Sequence, residues 1–313
     1  MTIEKKFIDQ FVNVTSKAAV ASYKFIGKKD KIAADKAAVD SMRNELNRLN
    51  INGKIVIGEG ELDEAPMLYI GEKVGTGSGP DVDIAVDPLE GTNFAANNLP
   101  GALSVIAVAE KNNLLNAPET YMEKISANVN EKGVVDLDYS TKENIFNLCE
   151  YLNKKPESIT ACVMDRPRHK DIIDELNILG VKIKLITDGD VSGALLVSDD
   201  KYGVDIFLGI GGGPEGVLAS AALDTFECSF QGRFLFHTEE DKRRANKMGI
   251  TNLSKKYELD EIVKGDSIFC ATGVTSGDLV SGIRTENNKF ITETLVTHKS
   301  TGFKKIIKKV VNK

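Results

Sequence analysis

Between Ser158 and Leu223 the chain repeats one short pattern, an apolar β-rich run followed by a helical one. Residues 158–164, 181–186 and 204–210 read as strands. Residues 170–179, those from about 191, and 214–223 read as the helices that follow them. Consecutive strand–helix units return each strand in the same direction, so this stretch is constrained to a mostly parallel sheet with helices against it. The residues before it keep a different rhythm. Phe7, Ile8, Phe11 and Val12, then Ala18, Ala19 and Val20, recur at helical spacing and predict a helix over 4–26, ended by Gly27. A second helix is predicted over 33–49, after the basic loop Lys28-Lys29-Asp30-Lys31. Short strands over 54–57, 83–86 and 103–109 follow, separated by glycine-rich loops. The expected class is α/β, α+β in the first half and parallel α/β in the second. The break falls at Asn153-Lys154-Lys155-Pro156, giving domains 1–155 and 156–313, in keeping with about 150 residues per domain.

Composition narrows the function classes. Hydrophobic residues make up 42% and charged residues 27%, enough to bury a sizeable core. The net charge of -6 offers no bulk attraction for a polyanion, so nucleic acid is not an expected partner. A small phosphorylated ligand remains compatible, because local basic residues or metals suffice to bind it. No run has the length and apolarity of a membrane span, and MTIEKKFIDQF lacks the apolar core of a signal peptide. Cys149, Cys162, Cys228 and Cys270 form no C-x-x-C pair, and their apolar settings suggest reduced thiols in the cytoplasm. The basic tail at 303–309 reads as a solvated face. His169, His237 and His298 are too scattered for a histidine metal site, and no G-x-S-x-G elbow supports a serine hydrolase.

What remains are carboxylates. Asp87-Pro88-Leu89-Glu90-Gly91-Thr92 closes the apolar run Ile84-Ala85-Val86, and its Pro-Gly turn can aim Asp87 and Glu90 at one point. Hard divalent cations take such oxygen ligands. Thr92 opens a predicted helix, where N–H groups favour phosphate. A plain capped turn is the alternative reading. Upstream, Glu59, Glu61, Asp63 and Glu64 crowd one loop after the apolar run 55–57. Like charges so close repel unless cations or solvent relieve them. Adjacent strands could bring both acidic ends within the ~4 Å that two-metal phosphoryl transfer uses.

The second half adds three loops. Arg166-Pro167-Arg168-His169, Asp188-Gly189-Asp190 and the glycine-rich run 209–216 each follow a predicted strand. In parallel sheets ligands bind at the carboxyl ends of strands, so these loops should share one rim. Arg166 and Arg168 suit phosphate oxygens, Asp188 and Asp190 suit sugar hydroxyls, and Glu215 could reach a metal. Each loop alone is also an ordinary turn or cap.

These stretches together resemble a known family. IGEGELDEAPMLYIGEKVGTG, DVDIAVDPLEGT, NAPETYMEK, RPRH, DGD and GIGGGPEG stand in the order found in class II fructose-1,6-bisphosphatases, and the likeness runs from about Tyr23 to Leu295. The resemblance implies the layered αβαβα fold of the inositol-monophosphatase and fructose-bisphosphatase type. It implies hydrolysis of the 1-phosphate of fructose 1,6-bisphosphate in gluconeogenesis, with two or more Mn²⁺ or Mg²⁺ ions per active site. Matching motifs make Asp35 and Glu59 ligands of one metal, and Asp87, Glu90 and Glu215 ligands of a second. They make Thr92, Glu59 and Asp87 the catalytic group. Substrate contacts would be Glu90, Gly91, Thr92, Tyr121, Arg166, Pro167, Arg168, Asp188, Gly189, Asp190 and Gly212. The family also suggests a homodimer or homotetramer. Sedoheptulose 1,7-bisphosphate, or another sugar phosphate, is the alternative substrate. Two further readings compete: an NAD-binding oxidoreductase, since 211–216 satisfies G-x-G-x-x-G with Glu239-Glu240 downstream, and a non-catalytic phosphosugar-binding protein.

Overall fold

The computed structural model describes residues 3–58 and 68–312. The chain forms two compact units, 1–116 with 263–313, and 117–262. The break expected near residue 155 does not coincide with this division. Two features of pairing explain why: a strand at 121–127 joins the second unit's sheet, and strands from 267 onward return to the first.

In the first unit, α1 (Ile8–Tyr23) and α2 (Lys31–Leu46) precede β1 (Asn52–Ile57), β2 (Lys73–Val74), β3 (Asp81–Glu90), α3 (Thr92–Asn97) and β4 (Leu103–Glu110). The second helix starts earlier than its apolar pattern suggests because Asp30 caps it, accepting the Ala33 N–H at 2.9 Å. The first helix ends at Tyr23, short of the expected stop at Gly27; Gly27 takes a left-handed turn, φ 73°, further on and donates its N–H to Ala95 O at 2.9 Å.

The second unit contains β5 (Tyr121–Ala127), α4 (Thr141–Leu152), β6 (Thr160–Met164), α5 (Lys170–Ile178), β7 (Lys182–Ile186), α6 (Asp190–Leu195), β8 (Ile206–Gly212) and α7 (Gly213–Phe226). Strand β9 (Ser229–Leu235), α8 (Glu239–Lys247), β10 (Lys256–Glu258) and α9 (Leu259–Ile262) complete it. The chain then adds β11 (Ser267–Gly273), β12 (Arg284–Glu286), β13 (Lys289–His298) and β14 (Phe303–Asn312) to the first sheet.

The first sheet has eight strands in the order β12-β13-β11-β4-β3-β1-β2, with β14 also paired to β13. Among the described residues β1 and β3 are its one parallel pair of neighbours, so their carboxyl ends leave the sheet together. Helices α1 and α2 cover one face, where Phe11, Val12 and Ala18 meet Ile84, Val86, Ile106 and Ile268 in one core. The second sheet runs β10-β9-β5-β8-β6-β7. The three predicted strand–helix units do form parallel neighbours, β8-β6-β7. The sheet as a whole is mixed, because β5, β9 and β10 add antiparallel pairs. Strand β5 hides from a hydropathy reading: Tyr-Met-Glu-Lys carries two charges within its first four residues. Both units are thus mixed sheets carrying helices, a mixed α/β architecture.

Candidate active site

Strand β3 ends in a local irregularity. Asp87 pairs with Val105 and Glu90 with Leu103, so the register with β4 shifts between them. Pro88 has no N–H to give to a ladder, and Leu89 donates its own to Asp87 Oδ1 at 3.2 Å. The kink keeps Asp87 half-buried and Glu90 buried at one strand end. Gly91 follows at φ 74°, where a Cβ would stand 2.9 Å from the Phe94 ring. Its left-handed turn starts α3 with Thr92, which is half-buried.

Asp35 lies half-buried on α2, which packs against β3 and α3. Glu59 lies outside the described residues. Its strand does not: Ile57 of β1 pairs with Ala85 of β3, so Gly58 and Asp87 leave the same edge of the sheet. The chain returns at Leu68, whose carbonyl lies where a Cβ on Gly58 would need to be. Arg43 of α2 then grips Glu72 with Nε at 2.7 Å and Nη2 at 3.1 Å, a two-pronged pair that ties residues 69–72 to the helix.

In the second unit the loops after β6, β7 and β8 share the carboxyl edge of the parallel strands. They are tied to one another by backbone. Asp165 N–H reaches Ile186 O at 2.7 Å. His169 is fully buried between strands: its Nδ1 donates to Met164 O at 2.7 Å and its Nε2 accepts the Ile210 N–H at 2.8 Å. That pattern requires the neutral ring, and burial accordingly holds the His169 pKa below the usual histidine value. Arg168 uses Nε and Nη2 on Ile210 O, at 2.9 and 2.7 Å, and lays its guanidinium 5.1 Å from the Tyr121 ring centre. Tyr121 arrives there because β5 runs antiparallel to β8, pairing Tyr121 with Gly212. Arg168 is therefore braced by two of its five N–H donors, with others left to meet an anion. Arg166 points a nitrogen at Asp165 O, 3.1 Å away, and Pro167 opens a short 3₁₀ turn. Asp188 is half-buried, and Gly189 takes φ 83° as the cap of α6.

The glycine run has an unexpected use. A Cβ on Gly211 would collide with the Asp190 carboxylate, and one on Gly212 with that of Glu215. A Cβ on Gly216 would press on Met122 Sδ at 2.7 Å, beside the Lys124 stem. These glycines make room for the protein's own side chains. Asp190, buried, forms an ion pair with Lys124, itself only 1% exposed. Little in the sequence marks Lys124, a lone lysine in the alternation of β5. Glu215 sits in the first turn of α7 with Oε2 buried and without a hydrogen-bond partner among the described residues. Burial raises its pKa; the Lys124 charge lowers it and the Asp190 charge adds to the rise. A buried carboxylate oxygen with no donor is the kind of atom a hard divalent cation satisfies.

Anionic side chains filling the glycine run also disfavour a dinucleotide pyrophosphate there. The acidic pair that would hold a ribose is engaged elsewhere: Glu239 pairs with Lys242 and Glu240 with Arg243, each at 2.7 Å on α8.

Carboxylates grouped at a strand end in the first unit, and buried carboxylates with a braced arginine in the second, are the groups a phosphohydrolase uses. The family model "Bacterial fructose-1,6-bisphosphatase, glpX-encoded" matches residues 5–311, and the chain belongs to that family. It is similar to the fructose-1,6-bisphosphatase 1 class 2 of Escherichia coli K12, with 44% identity over 92% of this chain and 89% of the relative. It is also similar to the D-fructose 1,6-bisphosphatase class 2/sedoheptulose 1,7-bisphosphatase of Synechococcus sp. JA-3-3Ab, 41% identical over 92% of this chain and 90% of the relative. The protein of the same description from Prochlorococcus marinus AS9601 is 42% identical over 94% and 92%. The chain is a phosphatase of the hydrolase class whose substrate is a sugar bisphosphate, fructose 1,6-bisphosphate. No helix among the described residues is long and apolar enough to cross a membrane.

Proposed function

We propose that the chain releases the 1-phosphate of fructose 1,6-bisphosphate as phosphate, leaving fructose 6-phosphate, with Mn²⁺ or Mg²⁺ held by its carboxylates. Support for the metal comes chiefly from Glu215, whose buried Oε2 lacks a donor among the described residues. Asp87, Glu90 and Glu215 are the proposed ligands of one ion, Asp35 and Glu59 of another. When bound, such ions supply positive charge to phosphoryl oxygens and lower the pKa of water. Arg168, with Arg166 beside it on the loop 165–169, takes the non-reacting phosphate, while Asp188 and Asp190 accept sugar hydroxyls. The Thr92 hydroxyl, directly after Glu90 and Gly91, orients the attacking water for in-line displacement or meets the reacting phosphate. The division of labour is a metal-binding unit around β3 and a substrate-binding unit around β8.

A second substrate has specific support: the Synechococcus and Prochlorococcus relatives carry sedoheptulose 1,7-bisphosphatase in their names. That sugar shares the ketose 1-phosphate end. The remaining setting is a cytoplasmic homodimer or homotetramer acting in gluconeogenesis. Four buried free cysteines agree with a reducing compartment, and a net charge of -6 agrees with the absence of nucleic-acid partners.

The test is phosphate release from both bisphosphates in EDTA, then with each metal restored, by wild type and two variants. Thr92→Ala should lower kcat by roughly 10²–10⁴ with little change in KM, the range for a positioned proton-transfer group. Thr92→Ser should retain most turnover. A folded, fully active Thr92→Ala enzyme removes the hydroxyl from the mechanism, and full activity in metal-free protein removes the ions.

A further inference from the structure

Lys124 is the buried cation of the second unit that the reading above leaves without a task. It is 1% exposed, in the middle of β5, between β8 and β9. Burying an ammonium is costly unless a carboxylate meets it. A partner is present in Asp190, which offers Oδ2 to Lys124 Nζ. The other oxygen, Asp190 Oδ1, is buried and has no hydrogen-bond partner among the described residues. Glu215 Oε2 is in the same condition. Each carboxylate therefore has one buried oxygen that no donor of the described residues satisfies, and Asp190 gives its other oxygen to Lys124.

The backbone is built to allow this arrangement. Gly211 and Gly212 have no side chains where the two carboxylates lie, and Gly216 has none where the lysine stem passes beside Met122. Met122, Lys124 and Ser126 alternate onto one face of β5. Ser126 donates to Ala194 O of α6 at 3.1 Å, so the strand is fastened to the helix that begins with Asp190. A surface salt bridge would be a poor argument for design, but this pair is enclosed on a central strand and its second oxygen is left over.

We propose that Lys124 is a positioning residue of the sugar-phosphate site: by holding Asp190 Oδ2 it turns Asp190 Oδ1 toward a substrate hydroxyl, and its charge keeps Asp190 and Glu215 together beneath the glycine run. The inference rests on the proposed function for the identity of the ligand, not for the existence of the triad. Lys124 touches no reacting atom; it acts through Asp190.

The experiment replaces Lys124 by Met, which keeps length and packing but neither charge nor donor, and by Gln, which keeps a donor for Asp190. Affinity for fructose 6-phosphate is measured by calorimetry in EDTA, well below the thermal midpoint of each protein. KM and kcat for fructose 1,6-bisphosphate are measured with Mn²⁺. Loss of a charged hydrogen bond that orients a ligand group should weaken binding by roughly 10-fold or more in Lys124→Met, with Lys124→Gln between it and wild type. KM should rise by a similar factor, and kcat should move less. A folded Lys124→Met protein with wild-type affinity and KM, whatever its thermal midpoint, overturns the proposal. If Lys124→Met does not fold, Lys124→Gln decides alone: weakened binding supports it and wild-type binding overturns it. Wild-type protein that releases no phosphate from fructose 1,6-bisphosphate would strike the functional reading instead, leaving the two failures distinct.

Discussion

The two units build their carboxylate clusters by opposite means. In the first, Asp87 and Glu90 stand three residues apart on one strand, and a proline, a register shift and a left-handed glycine arrange them locally. In the second, Asp190 and Glu215 come from the first turns of separate helices, and a lysine on β5 pairs with Asp190 where three glycines leave space. The first cluster is a turn; the second is a piece of tertiary packing. Removing one carboxylate should therefore do different things in the two places from removing the space around one.

The largest effect is expected at the turn. Asp87→Asn keeps an oxygen for the Leu89 N–H and so should keep the fold, while losing the charge proposed to hold a divalent ion. Turnover should fall by roughly 10³-fold or more, on the scale of several kcal/mol of lost charge stabilisation. The thermal midpoint in EDTA should stay close to wild type. Near-normal turnover would mean that the β3 turn is only a cap.

Gly211→Ala should behave otherwise. The new methyl runs into the Asp190 carboxylate, and overpacking of this kind costs about 1–3 kcal/mol. Both the unfolding free energy and the KM for fructose 1,6-bisphosphate should worsen together, because the displaced group is structural and is proposed to face the ligand. A stable variant with unchanged KM would break the contrast drawn between the units.

The smallest effect concerns the loop brace. Burial lowers the His169 pKa in the folded state, so the unfolded chain binds the proton more readily. The neutral ring contributes fully above the unfolded value of about 6.5. That contribution is lost as pH falls through the lower folded value. Urea unfolding at intervals below pH 6.5 should give a stability that declines with acidity, and His169→Gln should flatten that slope. An identical slope in the variant would place the titration elsewhere.

Much of this architecture is legible in the residues alone. The helical spacing of Phe7, Phe11, Val12 and Ala18, and three strand–helix units between 158 and 226, appear where periodicity puts them. Periodicity could not reveal β5, because Glu123 and Lys124 interrupt its apolar pattern, nor the antiparallel half of the second sheet that β5 organises. It also could not assign the strands after 267 to the first sheet, since nothing in a strand's own residues names its neighbour.

The same division runs through the candidate site. Spacing along the chain already puts Asp87, Glu90 and Thr92 on one short proline–glycine turn, whatever its use. The sequence by itself also determined that the loops after β6, β7 and β8 share an edge, since parallel strands point their carboxyl ends one way. Tertiary structure alone decided what the glycines at 211, 212 and 216 are for. A glycine records only that a side chain is missing, and what fills the space comes from residues as far off in the chain as Asp190 and Lys124. That pairing spans 66 residues. It exists because two antiparallel strands and a helix start bring a charge and its counter-charge out of water together, where neither would be stable alone.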